Sequence, residues 1–311
     1  MSEEIQFQTN ITVGLGLLER VMFSTLVAVT GCMLLFINGT MLFTLRSKPV
    51  FSETSRYVLL YNLLVADTLQ MAMSQLLYVL SACRLMLPYP ICGLLIMFAR
   101  LTTDISPLTL VVMSLERYIA VCYPLRHAAI IPIRNTLVAI IGVWAFSSLN
   151  VLTHLLLLLQ FPFEDLESLQ MKEFCSKLQM YLVPMSYVYN QAYTCFLFIT
   201  AGVAITSSYI GVVVAARSAS TDKESAHKVC KTLLLHLFQL GLSLMSMMHT
   251  TLLIAISEIV RRSLFVYIMS VFYVFVYILP RCLSALIYGL RDQTIRPVFF
   301  SNLCCRLKLS P

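Results

Sequence analysis

Charge is what this sequence has least of. Only 12% of its 311 residues are Asp, Glu, Lys or Arg, against roughly 25% in a soluble domain. That is too little polar surface to cover a globule of this length, so a water-soluble fold is excluded. Hydrophobic residues make up 59%, which excludes a chain that stays disordered because it has little to bury. Glycine (10) and proline (11) are scarce enough to exclude collagen-like and low-complexity designs. Ten cysteines are too few for a disulfide scaffold of this length. The first twenty residues carry Glu3, Glu4 and Glu19 and lack a basic start followed by an apolar run. No cleavable signal peptide is read there, and the first span is expected to act as the insertion signal. What remains is a polytopic membrane protein.

A membrane helix needs about 20 mostly apolar residues to cross a core about 30 Å thick. Seven stretches qualify: 21–45, 57–81, 91–121, 137–159, 178–216, 233–256 and 264–290. The expected fold is an all-α bundle of seven transmembrane helices forming a single domain over 1–311. Residues 1–20 form a tail, and 291–311 form a short amphipathic helix and tail too charged to span. Fourteen Lys and Arg, from Arg46 and Lys48 through Arg117 and Arg126 to Arg306 and Lys308, fall at one set of span ends, and six fall at the other. The richer side is cytoplasmic by the positive-inside rule, which puts the N-terminus outside. The formal net charge of +7 is therefore a topology signal, with some attraction to anionic lipid, rather than a nucleic-acid footprint. Asn10-Ile11-Thr12 is a glycosylation sequon in the outside tail. Asn38-Gly39-Thr40 fits the same pattern inside the first span and is expected to stay unmodified.

At the inner end of the third span stands Met113-Ser114-Leu115-Glu116-Arg117-Tyr118-Ile119-Ala120-Val121-Cys122-Tyr123-Pro124-Leu125-Arg126-His127. Glu116-Arg117-Tyr118 alone could be a helix end with a snorkelling Arg. The full string resembles the rhodopsin-like, class A G-protein-coupled receptors, and Pro-Leu-Arg-His resembles their odorant receptor branch. Other positions follow the same order: Asn38 in the first span, Leu63-Leu64-Val65-Ala66-Asp67 in the second, Trp144 in the fourth, Ser207-Ser208-Tyr209 in the fifth, and Tyr288-Gly289-Leu290-Arg291-Asp292 closing the seventh. There are departures. Ser284-Ala285 stands where the family has Asn-Pro, so the helix lacks its kink there, while Pro280 sits one turn earlier and is expected to relocate the hinge. Only Cys175 lies between Gln160 and Leu178, where many tetrapod odorant receptors have more cysteines. The departures resemble fish-type odorant receptors.

The resemblance implies a disulfide between Cys92 and Cys175, both on the oxidising side. It implies that Glu116 holds Arg117 at rest and that Arg117, Tyr118, Tyr209 and Tyr288 serve activation and G-protein coupling. Cys304 and Cys305 read as palmitoylation sites. The implied partners are a small odorant ligand, a stimulatory, olfactory-type heterotrimeric G protein and the lipid bilayer. The implied location is the plasma membrane, in sensory cilia. No cofactor or metal is expected.

Four ionisable residues lie inside the spans: Asp67, Arg100, Asp104 and Arg281. Each costs at least about 2.5–3.5 kcal/mol on insertion scales, which makes each a functional question. Asp67 and Arg281 lie about 16 and 13 Å from the same membrane edge. In the family the second-span acid often holds sodium; here Arg281 is expected to pair with Asp67 in the ion's place, within a buried polar core that includes Asn38 and Ser284. Arg100 and Asp104 are spaced i, i+4. One reading is an intrahelical ion pair. The other is that Arg100 lines a ligand cavity and favours an anionic group. Further ligand candidates are His154, Tyr187, Gln191, His249, Thr250 and Tyr267, which place polar or aromatic tips among apolar neighbours.

Competing functions fare worse. A retinal receptor needs a seventh-span Lys, and 264–290 has none. A transporter or channel would show repeats, broken helices or rings of charge. An intramembrane enzyme would show a motif such as His-Glu-x-x-His. The alternatives kept are a non-olfactory class A receptor for a small anionic metabolite and, further behind, a membrane transporter.

Overall fold

The computed structural model describes residues 17–83, 85–161, 171, 175, 180–219, 237–239, 241–246, 248, 252, 256, 268 and 271–308. Its elements are all helical. The long ones are α1 (Leu17–Arg46), α2 (Ser55–Ala82), α3 (Tyr89–Cys122), α4 (Ile133–Leu159) and α5 (Pro184–Ala219). All five contain stretches long and apolar enough to cross a membrane. Helical residues 237–239 and 241–246 form α6, residues 271–291 form α7, and Ile295–Lys308 forms α8. Much of the expected span 233–256 and of 264–270 lies outside the described residues, as do Asn10, His249, Thr250 and Tyr267; so do the side chains of Cys304 and Cys305.

Proline sets several boundaries. Its missing N–H is no loss in a first turn, where backbone donors lack intrahelical acceptors. Pro184 opens α5, so this helix begins there rather than at Leu178. Pro132 caps α4, which starts at Ile133 rather than Leu137. The fold handles Pro280 differently. It lies at the start of the α-helix Leu279–Arg291, directly after a π-helical segment, Tyr273–Ile278. In a continuous helix its ring would collide with a carbonyl of the preceding turn. The wider π turn accommodates that collision, and the irregularity lies at Pro280 rather than at Ser284-Ala285.

The axis of the bundle is α3, which packs on α2, α4 and α5. In its most apolar window 56% of residues are buried, against 22–33% in the other four long helices. The other helices turn apolar side chains outward. Ile141, Leu159 and Val203 are 67%, 64% and 65% exposed. In water such a surface would aggregate; against lipid tails it is the compatible face. Lipid also removes the hydrophobic drive between helices, so close packing and polar cross-links must hold them together. Asn62 on α2 donates to Thr109 Oγ1 on α3 at 2.9 Å and accepts from Trp144 Nε1 on α4 at 2.9 Å. Thr102 on α3 donates to Gln70 Oε1 on α2 at 2.6 Å. Gln239 on α6 donates to Ser284 on α7. Helix α8 buries Ile295 and Phe299 in the main core and ties back to α1 through Asn302 and Thr44.

Candidate functional site

Near one end of α3, Cys92 is bonded to Cys175, with Cα atoms 5.6 Å apart. Both sulfurs are buried with Ile96, Met171 and Met180. Two turns along α3 lies Arg100. Its NH1 group donates to Asn190 Oδ1 of α5 at 2.7 Å and meets His154 Nε2 of α4 at 3.0 Å. The guanidinium lies 5.0 Å from the ring centre of Tyr181. A guanidinium only donates, so His154 Nε2 must accept; the imidazole is then neutral, with its proton on Nδ1. Asp104 takes other partners. Its Oδ2 accepts from Asn150 Nδ2 of α4 at 2.7 Å and from Tyr193 OH of α5 at 3.2 Å. Tyr189 OH donates to Asn150 Oδ1 at 2.9 Å.

The intrahelical Arg100–Asp104 pair is therefore replaced by cross-helix contacts. Because α4 and α5 both pack directly on α3, their polar tips reach each charge separately. Gln191 donates to Tyr187 OH at 2.8 Å, and the Tyr187 ring meets Tyr181 edge-on. The candidates Arg100, Asp104, His154, Tyr187 and Gln191 thus join one polar and aromatic region. Sequence reasoning missed five of its members: Asn150, Tyr181, Tyr189, Asn190 and Tyr193. The available signal was the density of Tyr, Asn and Gln in 181–193, which is unusual for the start of a membrane span.

Midway along the bundle, Arg281 NH1 donates to Asp67 Oδ1 at 3.2 Å, and both side chains are almost fully buried. Asn38 Nδ2 donates to the Arg281 carbonyl at 3.2 Å. Ser284 is fully buried and accepts from Gln239. The Arg281 guanidinium thus stands beside the Asp67 carboxylate, where its fixed charge would repel a sodium ion. Among the described residues no group of three or more His, Cys, Asp or Glu could hold a metal.

At the other end of α3, Arg117 Nε lies 3.4 Å from Glu116 Oε2, and its NH2 donates to Tyr288 OH at 3.1 Å. Arg117, Tyr209 and Tyr288 line a cavity, partly open to solvent, with Leu110, Met113 and Gln239. Glu116 is buried and also faces His127 Nε2 at 3.4 Å. Tyr118 packs elsewhere, against α5. A Cβ on Gly211 would sit 2.4 Å from Tyr118 Cε2, so only glycine lets the ring lie this close. Gly211→Val is expected to push Tyr118 aside and part α3 from α5 at this end. If this end couples to a G protein, as the resemblance implies, activation should fall several-fold while ligand binding is kept, as paired signalling and binding assays would read. Equal loss of both would mean general misfolding instead.

One cluster here was not foreseen. Arg56 NH2 lies 2.9 Å from Asp292 Oδ2, Tyr57 OH donates to the same carboxylate at 3.3 Å, and the Arg56 guanidinium lies 5.3 Å from the Tyr288 ring centre. Asp292 Oδ1 also accepts the backbone N–H groups of Thr294 and Ile295, closing the start of α8 as a capping side chain does. Tyr288 is thus flanked by two arginines. The hint in the sequence was an Asp three residues before a helix start.

A bundle of membrane-spanning helices, with a polar cluster and a largely apolar cavity bearing Arg117 at opposite ends of one central helix, is the build of a seven-helix membrane receptor. The model of the family described as "7 transmembrane receptor (rhodopsin family)" matches residues 37–289. The chain belongs to that family, the class A G-protein-coupled receptors, and so is a multi-pass membrane receptor rather than an enzyme, with a ligand and a G protein as the partners the family implies. It is 34% identical over 261 residues to odorant receptor 131-2 of Danio rerio, covering 84% of this chain and 79% of the relative. It is 24% identical over 266 residues to olfactory receptor-like protein I9 of Rattus norvegicus, covering 81% and 80%. A 56-residue stretch is 41% identical to olfactory receptor 2A1/2A42 of Homo sapiens, covering 18% of each chain.

Proposed function

We propose that this receptor detects a small extracellular odorant and activates a stimulatory, olfactory-type heterotrimeric G protein. The observation that carries the reading is that one helix, α3, bears both the Arg100 cluster and the Arg117 cavity. A ligand that favours one arrangement of α3 against α4 and α5 shifts the population at the far end by its difference in affinity for the two states. Kinship to receptors named as odorant receptors supplies the ligand class. In this reading the whole chain, 1–311, is one seven-transmembrane domain, with the disulfide end and the Asn10 sequon outside and the Arg117 end in the cytoplasm. Cys304 and Cys305 would carry palmitate against the inner leaflet, and the receptor would reside in the plasma membrane of sensory cilia. In the resting state Glu116 restrains Arg117. On activation Arg117, Tyr209 and Tyr288 regroup around the terminal helix of the G protein, with Tyr118 steadying α3 on α5.

The test is odorant-dependent cyclic AMP in cells expressing the receptor with a stimulatory α subunit. A response is expected that Arg117→Ala abolishes at equal surface level. Silence of a surface-expressed receptor to a broad odorant panel, or a response indifferent to Arg117→Ala, would overturn the reading.

A further inference from the structure

We propose that Arg100 is the seat of a ligand carboxylate, and that the receptor is tuned to small organic acids with an apolar chain. This rests on the reading of the disulfide end as the ligand site. The first support is a contrast among arginines. Arg56, Arg117 and Arg281 lie 2.9, 3.4 and 3.2 Å from the carboxylates of Asp292, Glu116 and Asp67. Arg100 is only 7% exposed, yet among the described residues no carboxylate pairs with it. Its neighbours are the neutral His154 and Asn190 and the face of Tyr181. A buried cation held by neutral groups is incompletely compensated, and an anion arriving there would complete it.

The second support is which edge is taken. Both hydrogen bonds use NH1. The edge formed by Nε and NH2, one of those that grips a carboxylate in a two-bond fork, takes no partner among the described residues. Neither nitrogen is among the sealed polar atoms left without a partner, a group that does include Nε of Arg56 and of Arg281. Among the described residues that edge is not sealed off. His154 and Asn190 hold the guanidinium in place beforehand, so little ordering remains to oppose binding.

Charge and depth select the ligand class. Asp104 lies one turn further along α3, about 6 Å deeper, and already accepts from Asn150 and Tyr193. A monoanion in contact with Arg100 is attracted at short range and repelled by Asp104 only at longer range, so attraction wins. A dianion such as a phosphate monoester brings a second charge with no second cation beside it among the described residues. An amine would meet Arg100 before it reached Asp104. The nearby rings of Tyr181 and Tyr187 suit the apolar remainder of an acid.

The experiment uses the full-length receptor in lipid nanodiscs. Its melting temperature is followed against butanoate, hexanoate, octanoate and benzoate, their methyl esters, and hexylamine. At least one acid should raise the melting temperature of the wild type in a saturable way, with its ester at least about tenfold weaker. Arg100→Gln should lose the acid response. Arg100→Lys, which keeps the charge but not the fork, should weaken it less. The proposal fails if no acid shifts the wild type, if esters act as strongly as acids, or if Arg100→Gln keeps the response. Should Arg100→Gln not fold, the acid–ester contrast and Arg100→Lys still decide. Acid binding through Arg100 without any cyclic AMP response would sink the odorant-receptor reading and leave this site standing. Cyclic AMP responses to neutral odorants that ignore Arg100 would do the reverse.

Discussion

Asp67→Asn is expected to be among the most damaging single substitutions in this receptor, and Arg281→Met in the same background is expected to repair it. The two side chains are almost fully buried and meet at 3.2 Å. Removing one member of a buried pair leaves the other uncompensated, at about 3–5 kcal/mol. That is a large part of the roughly 5–15 kcal/mol that holds a folded domain together, so surface level should drop several-fold. Arg281→Met alone should be milder. A stranded carboxyl group can take up a proton and become neutral, whereas a stranded guanidinium cannot shed one. The double variant removes both charges and should recover much of the loss, since it leaves no buried charge without its counter-ion. Surface labelling and melting curves on the four forms complete the cycle. If Arg281 stands in the ion's place, the wild type should be indifferent to exchanging sodium for choline in signalling assays. Additive losses in the double variant, or a strong sodium effect, would show that the two residues do not act together.

That pair was legible in advance because depth along a helix is fixed by residue count alone. Asp67 and Arg281 lie at matching distances from the same membrane edge, and lipid leaves two opposite charges at one depth few alternatives. The number of spans was legible for a related reason, since a bilayer requires unbroken apolar runs of known length. Boundaries were less legible where hydropathy and backbone chemistry disagree. Leu178–Val183 is apolar enough to extend the fifth span, but Pro184 starts the helix there. The π-helical turn at Tyr273–Ile278 was visible only as its cause, Pro280.

The clusters at the two ends of α3 were harder to read, for a rotational reason. Sequence places Arg100 and Asp104 one turn apart on one face, which is compatible with a mutual pair. Which helices face them depends on packing angles that spacing does not encode. His154 was named because it is an isolated polar tip in an apolar run. Asn190 stands in a run so rich in Tyr, Asn and Gln that no single member stood out. Arg56 and Asp292 were hidden differently. Each looks like an ordinary loop charge near a membrane edge, and only the return of α8 onto α1 and α7 brings them to Tyr288.

Cys92→Ser is expected to weaken the ligand response strongly while leaving much of the bundle in place. A cross-link over a sequence separation of 83 residues would be credited with more than 4 kcal/mol if the unfolded chain were free in water. Here it is not free. The apolar runs of α3 and α4 stay in the membrane when tertiary contacts loosen, so most of that loop is already confined without the bond. What the bond uniquely constrains is local: it holds Cys175 against α3 beside Met171 and Met180, next to the Tyr181 ring that lies on Arg100. The loss should therefore concentrate at the proposed ligand site. Potency should fall by a factor of ten or more, with a melting temperature lowered by only a few degrees. Cys175→Ser and the double Ser variant should match Cys92→Ser closely, because all three remove the same bond. A collapse of surface expression in every variant would instead place the bond's main effect on folding. A deeper loss in the double variant would mean that each thiol has a role beyond the bond.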